Sequence, residues 1–310
     1  MTLCEYEFLV QYNREAPKGQ HHYMAKLHLD TGELNLNNKS IILEGNAPLT
    51  DAYKEILKKY EVIYLSKEFN QSLGGLPRCI KAIRTNTNVA MYCKCGNRMT
   101  VNLEDFAFNQ PIANLHDGLE YLELYGNSSQ ELRNLPASLK YLLLYKINPI
   151  HLEYLPESLE ILYLYHFTLA NEEQQHLPRG LKELYLHRGI DNPIHSLPEG
   201  LQVLYLNGNY TQLDKIYTPL DKSIKFPAGL QTFIFNDNQW ITENKYIILW
   251  LFKNKKMPKS LKKCIFPLHY ADIFCELKTY AKEYITNEID WKLREIRPDS
   301  LVEHIKAMYE

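Results

Sequence analysis

The chain has 310 residues, of which 45% are hydrophobic and 23% charged, with a formal net charge of -2. That apolar share is enough for a sizeable core and excludes an intrinsically disordered chain, and the near-neutral balance excludes a global pull toward nucleic acid or anionic lipid. The longest apolar run, Tyr246 to Phe252, is far below the roughly 18 residues a membrane span needs, and Met1 to Val10 carries Glu5 and Glu7 without the basic lead-in of a secretory signal, so a cytoplasmic protein is expected.

Residues 1–59 read as an N-terminal cap. Within it, Met24 to Leu29 and Leu34 to Leu36 flank Asp30-Thr31-Gly32 and predict a β-hairpin. Thr50 to Tyr60 predicts a short helix, with Thr50 as N-cap and Ala52, Tyr53, Ile56, Leu57 and Tyr60 on one face. Val62 to Leu65 and Ile80 to Thr85 then predict the first two repeat strands, followed by an irregular repeat over 86–103.

Residues 60–266 carry the repeats. Leu-Pro pairs stand at Leu76-Pro77, Leu135-Pro136, Leu155-Pro156, Leu177-Pro178 and Leu197-Pro198, with Phe226-Pro227 and Met257-Pro258 as drifted copies and Leu115-His116 in the remaining slot. From Leu115 the steps are 20, 20, 22 and 20 residues, then 29 and 31. Three residues after each proline a Leu-x-x-Leu-x-Leu pattern begins, as in Leu119, Leu122, Leu124 and Leu201, Leu204, Leu206. The closing Leu-x-Leu has period two, which places both leucines on one face of a strand. A unit this short cannot bury that face alone, so successive units must stack and pair their strands in parallel. The predicted fold class is therefore α/β: a leucine-rich-repeat solenoid with a parallel concave β-sheet, a β-rich N-terminal cap and a helical C-terminal cap. Asn127, Asn209 and Asn238, three residues past the last apolar strand position, are placed to satisfy turn backbone groups. Residues 241–253 predict a helical insert in the long repeat. Residues 267–310 predict the C-terminal cap: Ile273, Phe274, Leu277, Tyr280, Ala281, Tyr284 and Ile285 recur at helical spacing, and Leu301, Val302, Ile305 and Met308 begin a second helix after Pro298.

The Leu-Pro-x-x-Leu-x-x-Leu-x-Leu units, joined to Phe69-Asn70-Gln71-Ser72-Leu73-Gly74-Gly75-Leu76-Pro77 and Phe108-Asn109-Gln110-Pro111-Ile112, resemble the FNIP repeat, a short leucine-rich repeat common in social amoebae and in giant DNA viruses of amoebae. The resemblance covers roughly residues 60 to 266, and the Phe-Asn-Gln element does not recur after Pro111. It implies a protein-interaction module, acting in the host-cell cytoplasm if the source is viral. Some members of the family carry an F-box, which makes a substrate-recognition subunit of a ubiquitin ligase one implied role, although no F-box is evident before the repeats. The units also resemble repeats of bacterial secreted effectors, whose ligase members append a catalytic domain that the residues after Phe266 leave no room for.

The residues between the strand leucines point away from the leucine core. Successive units give Tyr121, Glu123, Tyr125; Tyr141, Leu143, Tyr145; Ile161, Tyr163, Tyr165; Glu183, Tyr185, His187; and Val203, Tyr205, Asn207, of which eight of fifteen are tyrosine. Tyrosine combines a broad apolar ring with a hydrogen-bonding tip at small entropic cost, a composition that interfaces favour. A partner-binding set follows: Tyr121, Glu123, Tyr125, Tyr141, Tyr145, Tyr163, Tyr165, Tyr185, His187, Tyr205 and Asn207. The alternative is that the rings merely form a self-stabilising ladder on the strands.

The partner expected is a protein, with self-association or a virion component as the structural alternative. Nucleic acid is not expected on this face, because residues 115–212 hold 12 acidic and 6 basic side chains. No membrane partner is expected either. The run from Lys253 to Lys263, with six lysines and no acid, suits a solvated turn, nucleic acid, a phospholipid head or the acidic face of a second copy. The six cysteines read as reduced thiols; Cys93-Lys94-Cys95 lacks the spacing and second pair of a zinc site, His21-His22 reads as a solvated loop, and His166 reads as a concave-face contact or an exposed loop residue, so no metal or cofactor is expected. With no phosphate-cradling glycine loop, nucleophile elbow or His-Glu-x-x-His helix, no catalysis is expected.

Overall fold

In each repeat the residue after the leading apolar residue opens a tight turn, in which its carbonyl accepts from the amide three positions on. The distances run from 3.0 Å for Ile80 on Pro77 to 3.3 Å for Leu119 on His116 and Leu261 on Pro258. Proline is tolerated at this corner because the turn calls on its carbonyl and not on the amide hydrogen it lacks. The residue before the Leu-Pro pair turns the chain through the left-handed region at Gly75, Asn114 and Asn134, with φ of 73°, 71° and 64°. Glycine and asparagine are the residues that adopt it at least cost.

The computed structural model describes residues 25–28, 34–35, 40–85, 108–112, 114–125, 132–145, 150–165, 167, 176–187, 196–207, 211–212, 215–216, 224–236, 243–267, 270–284 and 290–293. The expectations for 86–103, for Asn127, Asn209 and Asn238, for His21, His22 and His166, for Cys93 and Cys95 and for the helix from Leu301 lie outside these residues. The chain divides into two compact units, one reaching Leu139 and the other starting at Lys140, with Leu132 and Arg133 belonging to the second.

In the first unit, strands β1 (Ala25–His28) and β2 (Leu34–Asn35) pair antiparallel, as the hairpin pattern predicts. β1 also lies parallel to β3 (Ser40–Glu44), a strand that the sequence reading did not assign. Helix α1 (Asp51–Leu57) follows, with the Thr50 hydroxyl accepting from the Tyr53 amide as its N-cap. β3, β4 (Val62–Leu65), β5 (Ala82–Thr85) and β6 (Tyr121–Tyr125) then pair in parallel, with Ile41, Ile63, Ile83 and Leu122 in one column. The Phe-Asn-Gln element is a ladder on the loop side. Phe69 and Phe108 are buried and stacked at 6.3 Å. Asn46 Oδ1 accepts from the Asn70 amide at 2.8 Å, and Asn70 Oδ1 accepts in turn from the Asn109 amide at 2.8 Å. Each asparagine thereby satisfies the backbone of the next coil.

The second unit holds β7 (Tyr141–Tyr145), a 3-10 turn at Leu152–Tyr154, β8 (Ile161–Tyr165), β9 (Glu183–His187) and β10 (Val203–Asn207). A two-residue hairpin of β11 (Thr211–Gln212) and β12 (Lys215–Ile216) leads to β13 (Thr232–Asn236), α2 (Glu243–Lys253), β14 (Lys263–Phe266), α3 (Ala271–Tyr284) and β15 (Asp290–Leu293). β7, β8, β9, β10, β13, β14 and β15 pair in parallel and in register: Leu142, Leu162, Leu184, Leu204, Phe233 and Cys264 occupy one column. The helical insert and the first cap helix stand where periodicity predicts them. β15, pairing with β14, adds a strand that the helical reading of 267–310 lacked.

The coils thus build a leucine-rich-repeat solenoid with a parallel sheet. Leu162, Leu164, Leu184 and Leu204 have no exposed surface, and the core continues through Phe233, Phe235 and Phe266. A second column fixes the register between coils. The carbonyl of the residue preceding one strand accepts from two consecutive amides of the next coil, as Glu160 O does from Lys182 N at 2.8 Å and Glu183 N at 3.0 Å. Those preceding residues alternate in charge: Glu61, Lys81 and Glu120 in the first unit, then Lys140, Glu160 and Lys182 in the second. Lys182 meets Glu160 at 2.7 Å and Lys81 meets Glu120 at 3.6 Å. A one-coil slip of identical units would bring like charges together, so this alternation specifies the stacking order more than it stabilises it.

Candidate binding face

All eleven predicted contact residues stand at the first, third or fifth position of β6 to β10, on the side of the strands opposite the leucines. Their exposure differs from expectation. Tyr121, Tyr141 and Tyr165 keep part of their surface, whereas Glu123, Tyr125, Tyr145, Tyr163, Tyr185, His187, Tyr205 and Asn207 are buried, Tyr163, His187 and Tyr205 completely. Among the described residues, strands β6 to β10 therefore do not present a fully open tyrosine surface. Much of that cover comes from the face itself, where rings and polar tips of neighbouring strands pack on one another.

In the second unit the rings form two ladders. Tyr163, Tyr185 and Tyr205 occupy the central position of neighbouring strands, with centroid spacings of 6.2 and 6.3 Å. Tyr145, Tyr165 and His187 occupy the last position, at 5.6 and 4.5 Å, and Tyr165 stacks nearly parallel on the imidazole. Such spacings follow from strand separation and give each ring pair roughly 0.5–1.5 kcal/mol beyond its area burial. The polar tips stay within the face. The Tyr185 hydroxyl donates to Glu183 at 2.8 Å, and Asn207 Nδ2 lies 2.9 Å from His187 Nε2 and donates to the Tyr205 hydroxyl at 3.3 Å.

In the first unit the corresponding strand positions carry a buried ion pair that sequence reasoning missed. Arg84 Nε donates to Glu123 Oε2 at 2.9 Å, and the side chains are 7% and 1% exposed. The guanidinium sits over the Tyr121 ring at 5.0 Å and the Tyr64 ring at 5.7 Å, and the Tyr121 hydroxyl donates to Glu123 at 3.2 Å. Burial pushes the Tyr121 phenol well above its ordinary pKa, partly offset by Arg84. Thr85 bridges the strands where pairing stops after Leu122: its hydroxyl donates to the Glu123 carbonyl and accepts from the Tyr125 amide, both at 3.0 Å. Ile42, Val62 and Tyr64 form a small apolar cluster beside this pair, with Ala82 against it.

Chemically the face offers stacked rings and, at Tyr121, Tyr185 and Tyr205, polar tips bonded to neighbouring side chains. Among the described residues no group of three or more His, Cys, Asp or Glu side chains is placed to hold a metal ion. No helix among them is long and apolar enough to cross a membrane. Fold and face together define a repeat solenoid with an aromatic-lined sheet. No protein-family model and no curated protein matches the chain.

Proposed function

We propose that the chain is a non-catalytic protein-binding scaffold that recognises a protein partner through the part-exposed margin of its aromatic face. The observation that supports this reading is the pair of ring ladders in the second unit, with Tyr165 part-exposed within one of them and Tyr141 part-exposed at the first position of β7. A part-exposed tyrosine held by stacked rings, as Tyr165 is by Tyr145 and His187, loses little entropy on binding, which is the quality of an interface anchor. The resemblance to FNIP repeats and the acidic balance of residues 115–212 favour a protein over nucleic acid as that partner. Capture from the native cell with the wild-type chain and with Tyr141→Ser/Tyr165→Ser tests it. Each anchor is worth about 2 kcal/mol if it is a hot spot, so the double variant should keep its fold and lose a specific protein. Identical captured proteins with both chains would refute the site.

A further inference from the structure

Helix α2 buries Ile248, Leu251 and Phe252 against the core, where Phe252 meets Phe266 edge-on at 6.4 Å. Its other side is polar only towards its ends, as at Lys245 and Lys253: Tyr246 is 58% exposed, and Ile247, Leu249 and Trp250 keep a smaller part of their surface. A helix at the rim of a globular core is ordinarily polar on its outer side, so an apolar outer side calls for a second apolar environment. Tyr246, Trp250 and Lys253 stand at spacings of four and three residues, on one stripe of the helix. The stripe runs straight into Lys253, Lys255, Lys256, Lys259 and Lys262, all exposed. Lys253 lies 5.7 Å from the Tyr280 ring of α3, which packs on α2, and Lys245 lies 5.3 Å from the Tyr246 ring, so cations and rings are interleaved. Across residues 243–280 there are eight lysines, no arginine and three carboxylates, of which Asp272 is engaged by Lys245. A helix dipole accounts for a cation at Lys253 alone. Beyond it, Lys255, Lys256, Lys259 and Lys262, the last also donating to Gln231 at 3.0 Å, concentrate positive charge that complements an anionic surface.

We propose that the outer side of α2 and the lysine turn after it form a peripheral docking site for an anionic lipid bilayer. Tyr246 and Trp250 enter the headgroup boundary and the lysines lie against lipid phosphates. Aliphatic Ile247 and Leu249 beside the rings favour a bilayer over nucleic acid, whose bases call for aromatic stacking and guanidinium contacts. This site is separate from the aromatic sheet face, and the proposal departs from the expectation of no membrane partner.

Co-sedimentation of the full chain with phosphatidylcholine vesicles, with and without phosphatidylserine, tests the proposal. Binding is expected only to the phosphatidylserine vesicles, weakening as salt is raised. Each lysine near such a surface contributes about a fivefold gain, so Lys253→Gln/Lys255→Gln/Lys256→Gln should lower partitioning about a hundredfold. Tyr246→Ala should lower it several-fold with all lysines in place. Absence of partitioning by the wild-type chain would overturn the proposal, as would equal partitioning of the triple variant. Binding to an RNA oligonucleotide without binding to vesicles would assign the lysines to nucleic acid instead and overturn it equally.

Discussion

Replacing Gly180 by alanine tests how closely the coils approach one another. A Cβ at Gly180 would lie 2.5 Å from the Glu157 carbonyl oxygen and 3.4 Å from that of Leu159, both backbone atoms of the preceding coil. Neither atom can swing aside as a side-chain tip does, so the coils must separate locally, at a cost of about 1–3 kcal/mol. At Gly200, the equivalent position one repeat later, the nearest atoms are the carbonyl oxygens of Arg179 and Leu181 at 3.7 and 3.8 Å, which is ordinary contact. There alanine restricts the unfolded chain without straining the folded one, a gain of about 0.4–1 kcal/mol. Urea unfolding of Gly180→Ala and Gly200→Ala beside the wild type should place the first below it and the second at or above it. Equal midpoints for the two variants would refute the coil-to-coil approach that the argument rests on.

Further outcomes follow from the buried face. Tyr163→Ala should destabilise by about 3–5 kcal/mol, as truncation of a fully buried ring does, whereas Tyr141→Ala should cost well under half of that; chemical denaturation of both checks it. Glu123→Ala leaves Arg84 buried without its carboxylate and should cost about 3–5 kcal/mol, while Arg84→Met/Glu123→Leu should recover most of the loss in a double-mutant cycle. Burial pushes the Cys264 thiol well above its ordinary pKa, so a thiol reagent should label exposed Cys275 in the native chain and reach Cys264 only on unfolding. The unfolded chain then releases that proton at lower pH than the folded one. The contribution of Cys264 to stability is full below the ordinary thiol pKa and falls as pH rises above it toward the folded value, and Cys264→Ala should flatten that part of an alkaline unfolding profile.

The repeat period and the leucine pattern made the coil, the strand register and the face of each tyrosine legible in the sequence, because period two leaves no freedom about which residues share a side. The burial of that face had a signal too. Tyr141-Leu142-Leu143-Leu144-Tyr145 and Ile161-Leu162-Tyr163-Leu164-Tyr165 are nearly continuous apolar runs rather than alternating ones, which is the pattern of strands covered on both sides. β3 escaped because Ser40–Glu44 lies within the cap, ahead of the repeat pattern, and β15 because Asp290–Leu293 is a short strand without a repeat signature; each joins the sheet through neighbours supplied by tertiary structure. The Arg84 and Glu123 pair was hidden by 39 residues of separation, where only the stacked coils bring the charges together. The apolar outer side of α2 was equally out of reach, since periodicity marks an apolar helix without saying which side the core leaves uncovered.

The stacking itself is tested most directly by nuclear Overhauser contacts in a chain labelled at leucine methyls and tyrosine rings. The account predicts methyl contacts along Leu142, Leu162, Leu184 and Leu204 and ring contacts along Tyr163, Tyr185 and Tyr205, each between residues in successive coils. Contacts confined to residues three or four apart within a repeat, or leucines meeting tyrosines across the columns, would contradict it.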